Sequence, residues 1–182
     1  MQQISEPSPA PRARITGVVY LLYFLTAILG AYLDSRKLVV YAYASNLISD
    51  ALYLTLTLLF YYLFKPVSRN LSLVAAVFSL LGCAVTVLSR FDLAPFHLSP
   101  LLFFGPYCLL IGYLILRSTF LPRILGVLMM IAGIGWLLFL TPLETYLSLY
   151  LKILGILAEG SLMLWLIVMG VKTQRWQEQA AA

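Results

Sequence analysis

Apolar residues in this chain neither alternate nor scatter. They run in six blocks, near residues 15–33, 43–64, 71–89, 98–116, 124–140 and 150–171, separated by short polar stretches. Each block is about 20 residues long, and a helix rising about 1.5 Å per residue needs roughly that length to cross a hydrocarbon layer of about 30 Å. The pattern predicts an all-α fold: a polytopic membrane helical bundle of six transmembrane helices. Several residues mark the boundaries. Pro66 stops the second block because it cannot continue the hydrogen-bond ladder, and Asn70 reads as the N-cap of the third. Ser99 and Pro100 read as N-cap and first helical residue of the fourth, and Pro122 opens the fifth. Thr141 and Glu144 have the spacing of a capping box, so the last helix is expected to begin there, about two turns before it enters the membrane. Pro106 is expected to kink the fourth helix, while Gly105, Gly112, Gly126 and Gly133 offer places for helices to approach closely.

Composition sharpens this reading. Of 182 residues, 62% are hydrophobic and only 10% charged, which leaves no segment that could bury a soluble core. Residues 1–13, with Pro7, Pro9 and Pro11, are expected to be a disordered tail, residues 14–172 the six-span domain, and 173–182 a C-terminal tail. The first block exceeds the roughly 7 to 15 apolar residues of a signal peptide and no A-x-A site follows it, so it is read as a span. The net charge of +5 is topological rather than a sign of nucleic-acid binding. Eight cations, Arg12, Arg14, Lys65, Arg69, Arg117, Arg123, Lys172 and Arg175, fall on the side that holds both termini; four, Arg36, Lys37, Arg90 and Lys152, fall on the other. Both termini are therefore predicted to be cytoplasmic, with Lys172, Arg175 and Trp176 as an interfacial anchor.

Two acids lie inside apolar blocks. Glu159 sits mid-way in the last, and Asp50 lies on a polar stripe of the second, where Asn46, Ser49, Asp50, Tyr53 and Thr57 recur at helical spacing. Asp50 precedes the inner end at Phe64 by 14 residues, or about 21 Å, and Glu159 precedes Val171 by 12, or about 18 Å. A carboxylate in hydrocarbon is expensive, so each marks a functional hypothesis. Either each is a neutral acid hydrogen-bonded to a neighbouring helix, or Asp50 and Glu159 line one outward-opening pocket with Tyr20, Tyr23, Tyr53, Asn46 and Ser49. A shared proton between the two acids is a special case of the second. Lys152, two turns before Glu159, is expected to snorkel outward rather than pair with it. A short repeat supports the pairing: Arg14-Ile-Thr-Gly-Val18 matches Arg123-Ile-Leu-Gly-Val127, and the same offset of 109 residues carries Asp50 onto Glu159. A parallel repeat would relate the two acids by a pseudo-two-fold axis.

Other chemistry is weakly signalled. Ser79, Cys83, Thr86 and Arg90 share a face of the third helix, a pattern of interhelical hydrogen bonding. Cys83 and Cys108 fall at different depths, about 18 and 12 Å from the inner ends, and read as small apolar residues rather than a disulfide. With a single histidine, His97, in a loop, no metal or cofactor is expected, and no catalytic motif occurs.

The stretches RITGVVYLLY, LFKPVSRNLSL, LPRILGVLMMIAGIGWL and AEGSLMLWLIVMGVK together resemble a bacterial membrane family catalogued as domain of unknown function 4386. The resemblance runs from Arg14 to Lys172, with LPRILG and LFKPV its most specific parts, and departs from the family between Ser79 and Phe103. It implies a polytopic helical bundle in a bacterial inner membrane and supplies no activity. The leading functional reading is a non-enzymatic protein with a buried polar site between helices 1, 2 and 6, binding or conducting a small solute, ion or proton. The alternatives are a membrane enzyme acting on a lipid or quinone through an intramembrane acid, and an accessory subunit packing against copies of itself or a membrane partner.

Overall fold

The computed structural model describes residues 9–91, 93 and 98–181. The loop positions Asp92 and His97, and residues 1–8 of the expected tail, lie outside them. Among the described residues there are seven helices and no strand: α1 (Pro9–Ser35), α2 (Val39–Phe64), α3 (Arg69–Arg90), α4 (Leu101–Arg117), α5 (Arg123–Leu138), α6 (Glu144–Val168) and α7 (Thr173–Ala181). Helices α1, α2, α3 and α6 are long and apolar enough to cross a membrane; α4 and α5 are apolar but have only 17 and 16 residues.

Each of the first six helices packs on its neighbours in the chain, and α6 closes back on α1. The result is a ring of helices. Its interior holds Tyr20, Tyr53, Leu56, Phe60, Tyr107, Ile111 and Leu162, all nearly inaccessible. Its outside is apolar too: Leu25, Ile28, Leu58, Ile124, Ile134, Ile156, Leu157 and Leu164 are each more than half exposed. A soluble protein does not present a continuous coat of this kind, whereas a protein solvated by lipid must. Length, composition and this coat make it a membrane protein.

The closest helix pair is α4 against α5, and glycine explains why. Gly105 faces Gly133 and Gly112 faces Gly126, seven residues apart on each antiparallel helix; a Cβ on Gly112 would stand 2.7 Å from the Gly126 carbonyl oxygen, and one on Gly126 2.7 Å from that of Gly112. Backbone therefore touches backbone, as in close helix packing within membranes. These are the glycines expected to permit helix contact.

Boundaries depart from expectation in instructive ways. Within the described residues α1 starts at Pro9, so residues 9–13 are helical rather than tail; Pro9 and Pro11 fall in the first described turn, where a missing N–H is tolerated. The N-cap of α3 is Ser68, whose hydroxyl accepts from the Leu71 N–H, rather than Asn70. Helix α6 begins at Glu144 as expected, but without a capping box: the Thr141 hydroxyl accepts from the Leu143 N–H and donates to the Leu138 carbonyl. It ends at Val168, three residues before the expected limit, where Gly170 takes φ 64° and the N–H groups of Met169 and Gly170 both reach the Trp165 carbonyl.

The tail after Gly170 is not a passive anchor. It forms α7, which folds back against α1 and across the end of the bundle. Trp176, expected at a lipid interface, is instead buried, and its indole donates to the Leu63 carbonyl at 2.9 Å. That carbonyl is one of the last four of α2, which no intrahelical donor can satisfy. Gln179 makes the second tie, accepting from the Thr119 N–H at 3.1 Å.

Candidate functional site

Glu159 is the acid around which three helices meet. Helix α6 turns it toward α1 and α5, and both carboxylate oxygens are used: Oε2 accepts from the Tyr20 hydroxyl of α1 at 2.8 Å, and Oε1 accepts from the Trp136 indole N–H of α5 at 3.1 Å. Gly155, one turn before Glu159, makes this possible. The Trp136 ring lies directly over it, where a Cβ would overlap the indole. Glu159 as a residue is partly buried and Tyr20 is 3% exposed.

Aromatic rings continue from this site through the middle of the ring of helices. Tyr20 stacks on Phe24 and meets Phe60 edge-on; Tyr23 meets Tyr53 with centroids 4.8 Å apart; Tyr53 contacts Phe104 at 5.2 Å and Tyr107 at 6.2 Å. Such contacts, edge-on or offset, hold rings in fixed orientations. Tyr107 is 4% exposed, and its hydroxyl has no hydrogen-bond partner among the described residues. Buried hydroxyls normally find one.

Donor chemistry decides what the Glu159 cluster can do. An indole N–H only donates, so Oε1 accepts whatever the state of the acid. A phenol both donates and accepts, so the Tyr20 hydroxyl donates to an ionised carboxylate and, rotated, accepts from a protonated one. The same heavy-atom geometry therefore serves both protonation states.

Asp50 is elsewhere and differently held. Its Oδ1 forms an ion pair with Arg90 of α3 at 3.1 Å, the one salt bridge among the described residues, while Oδ2 and the Arg90 Nη1 are buried without partners. Tyr43, seven residues before Asp50, donates its hydroxyl to the Arg90 backbone carbonyl at 2.7 Å, so the guanidinium runs back along α2 to reach the acid. The two carboxyl groups do not hydrogen-bond each other, and the shared-proton arrangement is not formed. Nor are they two-fold mates: α2 and α6 flank α1 on its two sides, and α5 packs on α4 and α6. A two-fold axis relating α1–α2 to α5–α6 would require α5 to meet α2.

The polar stripe of α2 is divided among neighbours. Asp50 and Thr57 turn to α3, where Thr57 bonds Ser79 at 2.6 Å. Asn46 packs against Gly30 of α1, and Tyr53 enters the aromatic interior. Ser49 is buried. The α3 face bearing Ser79 and Arg90 thus does the interhelical bonding expected of it, and Lys152 is exposed, away from Glu159. Of the seven candidate residues, Glu159 and Tyr20 bond directly, Tyr23 and Tyr53 adjoin them through rings, Asp50 and Asn46 belong to other contacts, and Ser49 is buried.

Sequence reasoning missed Trp136 and, for Arg90, its pairing with Asp50. An indole N–H within an apolar span needs an acceptor, which was the available signal for the first. For the second it was the match between two antiparallel polar stripes, Asp50 and Thr57 on α2 with Ser79 and Arg90 on α3. Cys83 and Cys108 are both buried free thiols. Among the described residues no three of His, Cys, Asp and Glu converge as metal ligands.

With this geometry in place, comparison adds a family context. Residues 91–170 match the family described as Domain of unknown function (DUF4386). The matched segment contains α4, α5 and α6, hence Trp136, Gly155 and Glu159, and it includes the LPRILG and AEGSLM stretches but not LFKPV. The chain is also 29% identical over 114 residues to an uncharacterised protein of Archaeoglobus fulgidus, covering 59% of this chain and 70% of the relative. No solved structure matches.

Proposed function

We propose that the protein crosses the inner membrane six times with both termini in the cytoplasm, and that Glu159, Tyr20 and Trp136 form a site that takes up and releases a proton between α1, α5 and α6. One observation carries the reading: each carboxylate oxygen accepts from a different helix, one through a donor that cannot reverse and the other through a hydroxyl that can. A small cation is the other occupant such a carboxylate accepts; a proton needs no cavity, and aromatic rings fill the interior beside the acid. Tyr23, Tyr53 and Tyr107 supply further hydroxyls within that interior. Asp50 is left out, because Arg90 already neutralises it.

Infrared difference spectra of the full-length protein in lipid nanodiscs, taken between acid and alkaline pH, test this. Wild type is expected to show a carboxylic-acid C=O band that vanishes in Glu159→Gln and survives in Asp50→Asn. A spectrum unchanged by Glu159→Gln sinks the proposal.

A further inference from the structure

The end of the bundle that carries α7 holds a cleft of about 770 Å³ between α1, α2 and α7. Three cations reach it from three segments: Arg12 on α1, Lys65 just after α2, and Arg69 as the first residue of α3. None has a carboxylate partner among the described residues, where the one ion pair is Arg90 with Asp50. Arg69 stands at a helix N-terminus with no acid in its first turn, so the unpaired N–H groups of α3 add to the positive potential. Like charges gathered in this way need an anion.

The shape of the cleft indicates which anion. Its wall descends α2 from Lys65 through Tyr62 to Leu59, six residues and hence roughly 9 Å below the level of the lysine. Trp176 of α7 also lines the cleft, fixed by its bond to the Leu63 carbonyl. Tyr62 is more than half exposed, so the wall opens sideways onto the apolar coat. A free phosphate would fill only the charged mouth. A phospholipid presents a phosphodiester to the cations and glycerol and acyl carbons to Tyr62 and Leu59, using both parts. We infer that this cleft binds the headgroup of one anionic phospholipid, its phosphate held by Arg12, Lys65 and Arg69.

The inference rests on the membrane-spanning reading only for its position at a bilayer surface, and Glu159 plays no part in it. Extraction by detergent but not by carbonate or salt checks that position separately. Native mass spectrometry of the full-length protein in micelles, titrated with phosphatidylglycerol, phosphatidylcholine or inorganic phosphate, tests the site. Phosphatidylglycerol is expected to remain bound. Replacing Arg12, Lys65 and Arg69 together with Gln should weaken it by roughly fivefold per charge, about a hundredfold in all. Replacing Arg117 and Arg123, cations of a second cleft beyond α7, should leave it unchanged. Equal retention of phosphatidylcholine, equal loss in the Arg117/Arg123 variant, or displacement of the lipid by inorganic phosphate would each overturn the inference. Should the triple variant unfold, Arg69→Gln alone, at an exposed position, must still lose about fivefold; unaltered binding there overturns it equally.

Discussion

Glu159 and Asp50 began as two acids at one depth and are held by opposite means. Asp50 meets a permanent cation on a single neighbouring helix and leaves its second oxygen unpartnered, whereas Glu159 meets two neutral donors on two helices and leaves none. A carboxylate against a guanidinium is tied to that partner, since losing either charge leaves the other unpaired in a partly buried site. A carboxylate between an indole and a phenol has no such tie. Burial alone therefore does not distinguish a structural acid from a chemical one; the partners do.

The largest expected effect lies on the Asp50 side. Arg90→Leu leaves a half-buried carboxylate unpaired and is expected to cost about 3 kcal/mol in detergent melts, while the double variant Asp50→Leu/Arg90→Leu recovers most of the loss. If the double variant stays as unstable as the single, the pair does more than neutralise itself. On the other side, Gly155→Ala drives a Cβ into the Trp136 ring. Overpacking of about 3 kcal/mol, partly offset by roughly 1 kcal/mol of helix propensity, should lower the melting temperature and shift the Glu159 infrared band. An unshifted band would mean that the indole is not what holds the acid. Tyr20→Phe should cost least, about 1 kcal/mol, because the ring still packs and only the reversible hydroxyl is lost. It should move the Glu159 band and leave the Arg90→Leu cost unaltered; a change in that cost would join the two acids after all.

The sequence made the helices legible because lipid imposes one rule, that backbone groups be satisfied within the segment, and apolar runs report it directly. Glycine contacts were legible for a similar reason: Gly112 and Gly126 have few uses in an apolar helix other than close approach. Pairing of the acids was not. Depth along a helix fixes one coordinate, but which neighbour a residue meets depends on rotation and on ring order, and neither is written in a single chain's periodicity. Asp50 and Glu159 have similar expected depths and face different helices. Helix α7 was missed because nine residues, six of them polar, give no span signal, and only Trp176 in TQRWQEQAA hinted that one face would be buried.

The glycine-matched hairpin of α4 and α5 has a consequence for the lipid around it. At 17 and 16 residues these helices rise about 26 and 24 Å, against roughly 30 Å of hydrocarbon, while α1 and α2 on the far side of the ring exceed that span. In the six-span arrangement one flank of the molecule is then too short for the bilayer and the other long enough to tilt. In that arrangement acyl chains beside α4 and α5 would compress, giving a dimple in the bilayer on one side of the protein.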